Sequence, residues 1–562
     1  MKFNSIFNSL LVMILIFFSL DTINAQDLAQ IKNEKPFTIN GSLGASGLFY
    51  GVNGIEARSK PFSYLFSGNL NMSIYGIQIP LSFVYSEQER DFRQPFNQFG
   101  LSPKYKWVTV HLGYRNVDYS SFAFSGQTIL GAGVDLKPGL FRFGFMYGRF
   151  NRAVGMEQSG TANSTPSFER KGWTTRIGYG TQQNFADLVL VRAQDDNNSI
   201  SFDSTANSPK AAANMVVGLN SKLKFSKFLS FESEGALSIY TENINSDVLE
   251  GSNSFLVDKS KGFIPVNSST SSKTALRALL NYKKKLYGAR LVYRRIDPSY
   301  KSMGTYFMND DCQQITIEPS VNLFKQKLVL RLSSGIQNDN LENTKKTTTH
   351  RFINSLFASY NPNSRFAIDG SYANYQYNQQ AGRVPLVDST KTYQTNENIT
   401  LSPRLIFAGT KKSQIINFTY NFMRLIDNNK FTENFNEYSV HNLLAGYVIS
   451  WNELNMSVSS GVNYTSMTNQ LGTINLYGLS AGINRNFMKN TLTLALPICL
   501  QRNSNNLNSA WILTTSVGVN YKLPKHHSLS LMLNYIGNYS DNTLVSPTFN
   551  EIKGALQYIY TF

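Results

Sequence analysis

The chain has 562 residues and a formal net charge of +17, yet charged residues make up only 16 % and aromatics reach 13 %, with 30 Tyr and 39 Phe. Mean hydropathy is negative, and beyond the N-terminal stretch no run of about 18 apolar residues occurs, which excludes a helical membrane protein. So little charge is also unusual for a soluble protein of this length.

The first element is the apolar run "LLVMILIFFSL" (10–20), preceded by Lys2 and followed by "DTINA". This pattern predicts a secretory signal peptide over 1–25, cut after Ala25, its apolar core being too short for a stable anchor. A short N-terminal segment (26–35) follows, then one domain (36–562) of alternating segments. Strands are expected at 36–48, 62–74 and 77–87 and near 105. Further on, "LFRFGFMYGRF" sets Phe141, Phe143, Phe145 and Tyr147 against Arg142, Gly144 and Gly148. "KLVLRLSSGIQ" sets Leu328, Leu330, Leu332 and Ile336 against Arg331, Ser333 and Gln337. "SAWILTTSVGVNYKL" and "HSLSLMLNYIGNY" repeat the pattern, and "EIKGALQYIYTF" ends the chain with Ile552, Leu556, Tyr558, Tyr560 and Phe562 on one face. A period of two with one apolar face is a strand between an apolar and a polar phase. Helical periodicity is absent after residue 25, so the chain reads as all-β.

Connections alternate in length. Tight ones read "SKF" (226–228), "KKKL" (283–286), "FKQK" (324–327), "NPN" (361–363), "GTKK" (409–412), "FMKN" (487–490) and "LPKHH" (523–527). Long polar ones fall at 195–212, 242–272, 297–312, 377–396 and 425–436. Short turns at one end and long loops at the other describe a closed antiparallel transmembrane barrel, since an open sheet would expose unpaired edges to lipid. Counting back from Phe562 gives roughly 24 strands, within 22–26, the count being weakest over 88–126.

The ending "QYIYTF" resembles the C-terminal recognition signal of Gram-negative outer-membrane proteins, with Tyr558, Tyr560 and Phe562 in the matching places. The resemblance implies a multi-pass barrel in the cell outer membrane, inserted by the barrel-assembly machinery through its last strand, with short turns and residues 26–35 in the periplasm and outer-membrane lipids as its surroundings. The block "FNQFGLSPKYKWVTVHLGYRNVDYSSFAFSGQTILGAGVDLKPG" (96–139) is similar to uncharacterised barrels of the Bacteroidota and implies no activity.

No catalytic set is visible. His111, His350, His441, His526 and His527 are scattered, and no nucleophile–base arrangement, phosphate loop or zinc-ligand spacing occurs. No enzyme activity and no cofactor or metal are therefore expected. Cys312 and Cys499, the only cysteines, read as two idle thiols or one bridge. Charge is more informative. Lysines crowd the tight turns (Lys227, Lys283, Lys284, Lys285, Lys325, Lys411, Lys489 and Lys525 among them), where they either snorkel to headgroups or form a collar for an acidic periplasmic partner. Nucleic acid is not an expected partner, because the cations form no single patch. Alternation assigns Arg142, Arg176, Arg277, Arg290, Arg294, Arg331 and Arg404 to the lumen, opposed by Glu232, Glu234, Glu318 and Asp369. They form ion pairs across the wall, or, if the excess is not neutralised, favour anions.

Two functions follow. One is a pore or transport channel for polar, and on the charge argument anionic, solutes. The other is a non-enzymatic subunit of a secretion or surface-adhesin system whose lumen or loops bind a periplasmic or surface protein. A barrel this wide needs narrowing, and "ENINSDVLEGSNSFLVDKSKGFIPVNSST" (242–270) is the expected inward loop, with "SFLV" and "GFIPV" as its anchors.

Overall fold

The computed structural model describes residues 35–87, 97–155, 166–200, 209–248, 255–506 and 508–562. The expected signal peptide, its cleavage site and all but Lys35 of the segment 26–35 lie outside the described residues. The strands run β1 Phe37–Asn53, β2 Phe62–Ile74, β3 Ile77–Ser86, β4 Gln98–Leu101, β5 Lys104–Tyr105, β6 Val108–Asn116, β7 Thr128–Leu136, β8 Phe141–Asn151 and β9 Arg170–Gly180. Next come β10 Phe185–Asp195, β11 Ala213–Lys224, β12 Leu229–Thr241, β13 Thr270–Lys283, β14 Tyr287–Ile296, β15 Cys312–Leu323, β16 Leu328–Asn338, β17 Thr347–Tyr360 and β18 Phe366–Ala381. The ring is completed by β19 Tyr393–Ala408, β20 Lys412–Asp427, β21 Tyr438–Trp451, β22 Met456–Asn469, β23 Gly472–Phe487, β24 Leu492–Ser504, β25 Ser509–Leu523, β26 His527–Ser540 and β27 Phe549–Thr561. Among the described residues, two short α-helices, α1 Phe255–Ser260 and α2 Glu433–Asn436, and a 3-10 turn at Asp388–Thr390 sit in loops.

Every strand pairs antiparallel with its neighbours, and β27 returns to β1 in a register from Ser42↔Thr561 to Asn53↔Asn550. Phe562 extends the seam by exchanging both backbone hydrogen bonds with Gly41, at 2.9 and 3.1 Å. Closure leaves no free edge. β4 and β5 occupy one position between β3 and β6, interrupted at Ser102–Pro103, where proline has no N–H to give. The 27 strands therefore make a ring of 26 positions, an even number, at the top of the expected range rather than at 24.

The short turns gather at the end that holds Phe37 and Phe562. Several demand left-handed backbone: Tyr75 and Gly76 have φ of 46° and 82°, and Phe324–Gln326, Met488–Asn490 and Lys525–His526 are all positive. The two-residue turn Tyr75–Gly76 suits the twist of a hairpin. At the other end the connections lengthen between β6 and β15, then shorten again to Gln470–Leu471 between β22 and β23.

Cross-strand partners share a face, so register sorts the side chains into two sets. One set carries exposed apolar groups, such as Tyr147, Ile177, Leu188, Leu219, Leu291, Leu332, Leu533 and Leu556. The other is the concave inner face. From β19 through β27 to β2 it is mostly Ser, Thr, Asn, Gln and Gly, as in Asn421–Asn442–Thr465 and Ser480–Cys499–Thr514. From β6 to β19 it is strongly charged.

Candidate functional site

The larger of the two buried clusters among the described residues lies not within the wall but against its inner face. Val117, Tyr119, Phe122, Ala123 and Phe124, from the β6–β7 connection (117–127), pack with Tyr300 and Met303, from the β14–β15 connection (297–311). Beneath them lie Ile129, Met146, Val189, Val191, Val216, Ala236 and Ile296, inner-face residues that are apolar only where these segments cover them. The segments also hold each other. Tyr300 Oη donates to Phe122 O at 3.0 Å, Ser302 Oγ to Ala123 O at 2.7 Å, and Ser125 N to Gly304 O at 3.1 Å. A Cβ at Gly304 would stand 2.4 Å from the Ala123 carbonyl, so the crossing needs glycine.

Polar side chains of the wall fix the segments in place. Buried Glu234 accepts from Ser120 Oγ at 2.7 Å and Phe122 N at 3.2 Å, and from the Ser121 hydroxyl. Asn214 Oδ1 accepts from Met303 N at 2.9 Å, and Ser238 Oγ donates to Lys301 O. Tyr119 Oη donates to Asp135 at 3.2 Å, while the Arg176 guanidinium lies 4.6 Å from the Tyr119 ring centre and 3.0 Å from Asp135. Burial pushes the Tyr119 phenol up, as does Asp135, and burial does the same to Tyr300, with Glu234 adding to it. Both phenols stay neutral donors at any working pH. The ends of segment 297–311 are pinned by carboxylates. Asp297 accepts from Thr274 N at 2.9 Å and from Arg295, and Asp311 from Asn340 N at 3.0 Å and Leu341 N at 2.9 Å, beside Lys345. Burial raises both carboxyls, but these donors outweigh it and leave them below the usual range.

The described residues of the loop expected to turn inward (242–248 and 255–270) pack on the other face. Val257 of α1 and Ile264 pack on Ala213 and Ile239, with Met215 alongside, on the outer parity of β11 and β12. Arg192, of the same parity, donates to Phe263 O at 3.1 Å. Apolar anchors in a loop signal that something is covered, not on which side. The inward connections were less visible: "VDYSSFAFSGQ" (117–127) is short and lies in the stretch where strand counting was weakest.

Register puts Arg142, Arg176, Arg277, Arg290, Arg294, Arg331, Arg404, Glu232, Glu234, Glu318 and Asp369 on one shared parity, opposite the exposed apolar set. Several form pairs: Arg142–Asp187 at 2.8 Å, Lys222–Glu232 and Arg290–Glu318 at 2.5 Å, and Arg404–Asp369 at 3.4 Å. Arg277, Arg294 and Arg331 have no carboxylate partner among the described residues; Arg331 lies 5.9 Å from the Phe357 ring centre. Asp135, Asp187, His111 and Arg351 share that parity but were not assigned to it from the sequence. "LGAGVDL" shows the signal, since Gly131, Gly133 and Asp135 alternate with Leu130, Ala132 and Val134. A cleft of about 410 Å³ opens beside segment 117–127, lined by Tyr119, Ser120, Asn220, Lys222, Glu232, Glu234 and Arg277. Cys312 and Cys499 are both free thiols, on β15 and β24. The described residues contain no group of three or more potential metal ligands.

No family model matches the chain, and no curated protein is similar to it in sequence. Among solved structures, the translocation pore of the P pilus usher PapC is similar over 93 % of this chain and 99 % of its own, at 10 % identity and a TM-score of 0.40. OccAB2 of Acinetobacter baumannii is similar over 63 % of this chain and 92 % of its own, at 9 % identity and 0.30. OpdK of Pseudomonas aeruginosa, solved with vanillate, is similar over 67 % and 98 %, at 10 % identity and 0.31. At these scores the likeness carries nothing about what this chain does.

Proposed function

We propose that the protein is an outer-membrane pore for polar solutes, narrowed along one wall by its own segments 117–127 and 297–311. The observation that carries this reading is the uneven interior. A ring of 26 positions, at a spacing of about 4.8 Å and a tilt of about 40°, is roughly 50 Å across. Two short segments bound to β7–β15 cannot by themselves fill such a ring, and among the described residues the substantial strand contacts are between neighbours around it. The opposite wall, with its Ser, Asn and Gly side chains, offers a neutral hydrated path. Its side chains form a ladder in which Asn421 donates to Asn398 at 2.9 Å, Asn442 to Asn421 at 3.2 Å and Thr465 to Asn442 at 2.8 Å. Exposed aliphatic and aromatic groups on the outer face meet lipid, and Tyr558, Tyr560 and Phe562 on the seam strand present the assembly signal. In this reading the protein is not an enzyme and uses no cofactor.

Liposome swelling with neutral sugars of increasing size tests the proposal. Permeation of mono- and disaccharides is expected; impermeability to monosaccharides would contradict it. One observation favours the partner-binding alternative. Asn429 donates to Asp388 O and Lys391 O at 2.8 and 2.6 Å, locking two loops into a unit that exposes Val387, Phe431 and Phe435.

A further inference from the structure

One rung of the inner wall stands apart. Register sets Arg277 opposite Arg294, Arg294 opposite Gln314, Gln314 opposite Gln337, Gln337 opposite Arg351 and Arg351 opposite Tyr377. Six side chains thus line up over roughly 25 Å of wall, at about 4.8 Å per strand. We infer that this rung is a binding site for soluble polar solutes carrying two or more carboxylate or phosphate groups, a reading that rests on the proposed pore.

The contrast with its surroundings argues for a ligand. Most other inner-face cations have carboxylates: Arg142, Arg176, Lys222, Arg290 and Arg404 are each in an ion pair, while Arg115 and Arg331, in none among the described residues, lie off this rung. Arg277, Arg294 and Arg351 are in none among the described residues, although Arg277 and Arg294 sit directly opposite one another. Like charges in that position destabilise a sheet, and the carboxylate opposite Arg277, that of Glu234, is taken up by Ser120, Ser121 and Phe122 N. The Arg351 guanidinium stacks 5.3 Å from the Tyr377 ring centre, and its Nε is buried with no hydrogen bond from the chain. Guanidinium groups suit bidentate recognition of carboxylate and phosphate. Gln314 and Gln337, placed between the arginines, add both donors and acceptors, which suits hydroxyl or carbonyl groups between the acidic ends of one solute. The rung starts beside Glu234, its direct partner across β12 and β13, and Arg277 opens into the 410 Å³ cleft. A solute held there lies under the tip of segment 117–127.

Citrate titrated calorimetrically into the full-length protein, folded in detergent at low salt, tests the site without relying on conduction. Saturable binding is expected, weakened at least about tenfold by Arg294→Gln, as for the loss of one charge-assisted hydrogen bond. Arg294→Lys, which keeps the charge but not the planar fork, should fall between the two. Arg502→Gln, the same charge change on the opposite parity of β24, should leave binding within twofold. Absence of citrate binding, or equal weakening by Arg294→Gln and Arg502→Gln in proteins with native heat-modifiability, would overturn the site. A protein that binds citrate as described but passes no current keeps the site and fails the pore; one that conducts but binds no citrate does the reverse.

Discussion

Glu234 is the residue on which the inner segment depends most. It is buried, and three donors from residues 120–122 converge on its carboxylate. Hydrogen bonds to a charged group are worth about 1.5–3 kcal/mol each when a partner is removed. Glu234→Ala is expected to release segment 117–127 while leaving the ring intact, seen as larger or noisier single-channel current at unchanged heat-modifiability. Unchanged current would show that the segment is held by its apolar contacts alone. Gly304→Val tests the other side of the crossing: its side chain would meet Ala123 O, Phe124 and Val191. It should separate the two segments and lower the melting temperature of the loop transition without unfolding the barrel. Alternation found Glu234 as a wall residue because its neighbours in sequence declare the face. It could not find Ser120 and Ser121, more than a hundred residues away, as its partners.

At the scale of elements, segment 297–311 is tied down at both ends by carboxylates. Both Asp297 and Asp311 have folded-state values below their ordinary ones. A depressed carboxyl contributes stability that is fully present above the unfolded value, about 3.9, and is lost as pH falls through the folded one. Segment 297–311 should therefore become susceptible to an acid protease below about pH 4, while Asp311→Asn makes it partly susceptible at neutral pH; full protection of both would contradict the clamp. Strands were the most legible elements, because period-two alternation follows directly from facing two media. Loop direction was not legible. The anchors "SFLV" and "GFIPV" were visible, but Met215 and Ile239, the wall residues beside them, have outer parity, which only the register reveals. Hairpins as short as Gln470–Leu471 at the long-loop end, and the proline break between β4 and β5, defeat a count based on alternating connection lengths.

Across the whole molecule, charge and polarity divide the ring into two walls. The charged wall carries the folded-in segments and the arginine rung; the neutral wall runs through the seam where β27 meets β1. Much of the positive charge behind the net +17 lies in the turns at the Phe562 end and on the inner-face arginines Arg277, Arg294, Arg331 and Arg351. The most direct measurement is planar-bilayer conductance of the refolded full-length protein in a salt gradient. A steady open conductance, with a reversal potential of the sign given by anion preference, is the predicted result. A closed membrane at all voltages, from protein that is folded by heat-modifiability, would contradict an aqueous path beside the inner segments.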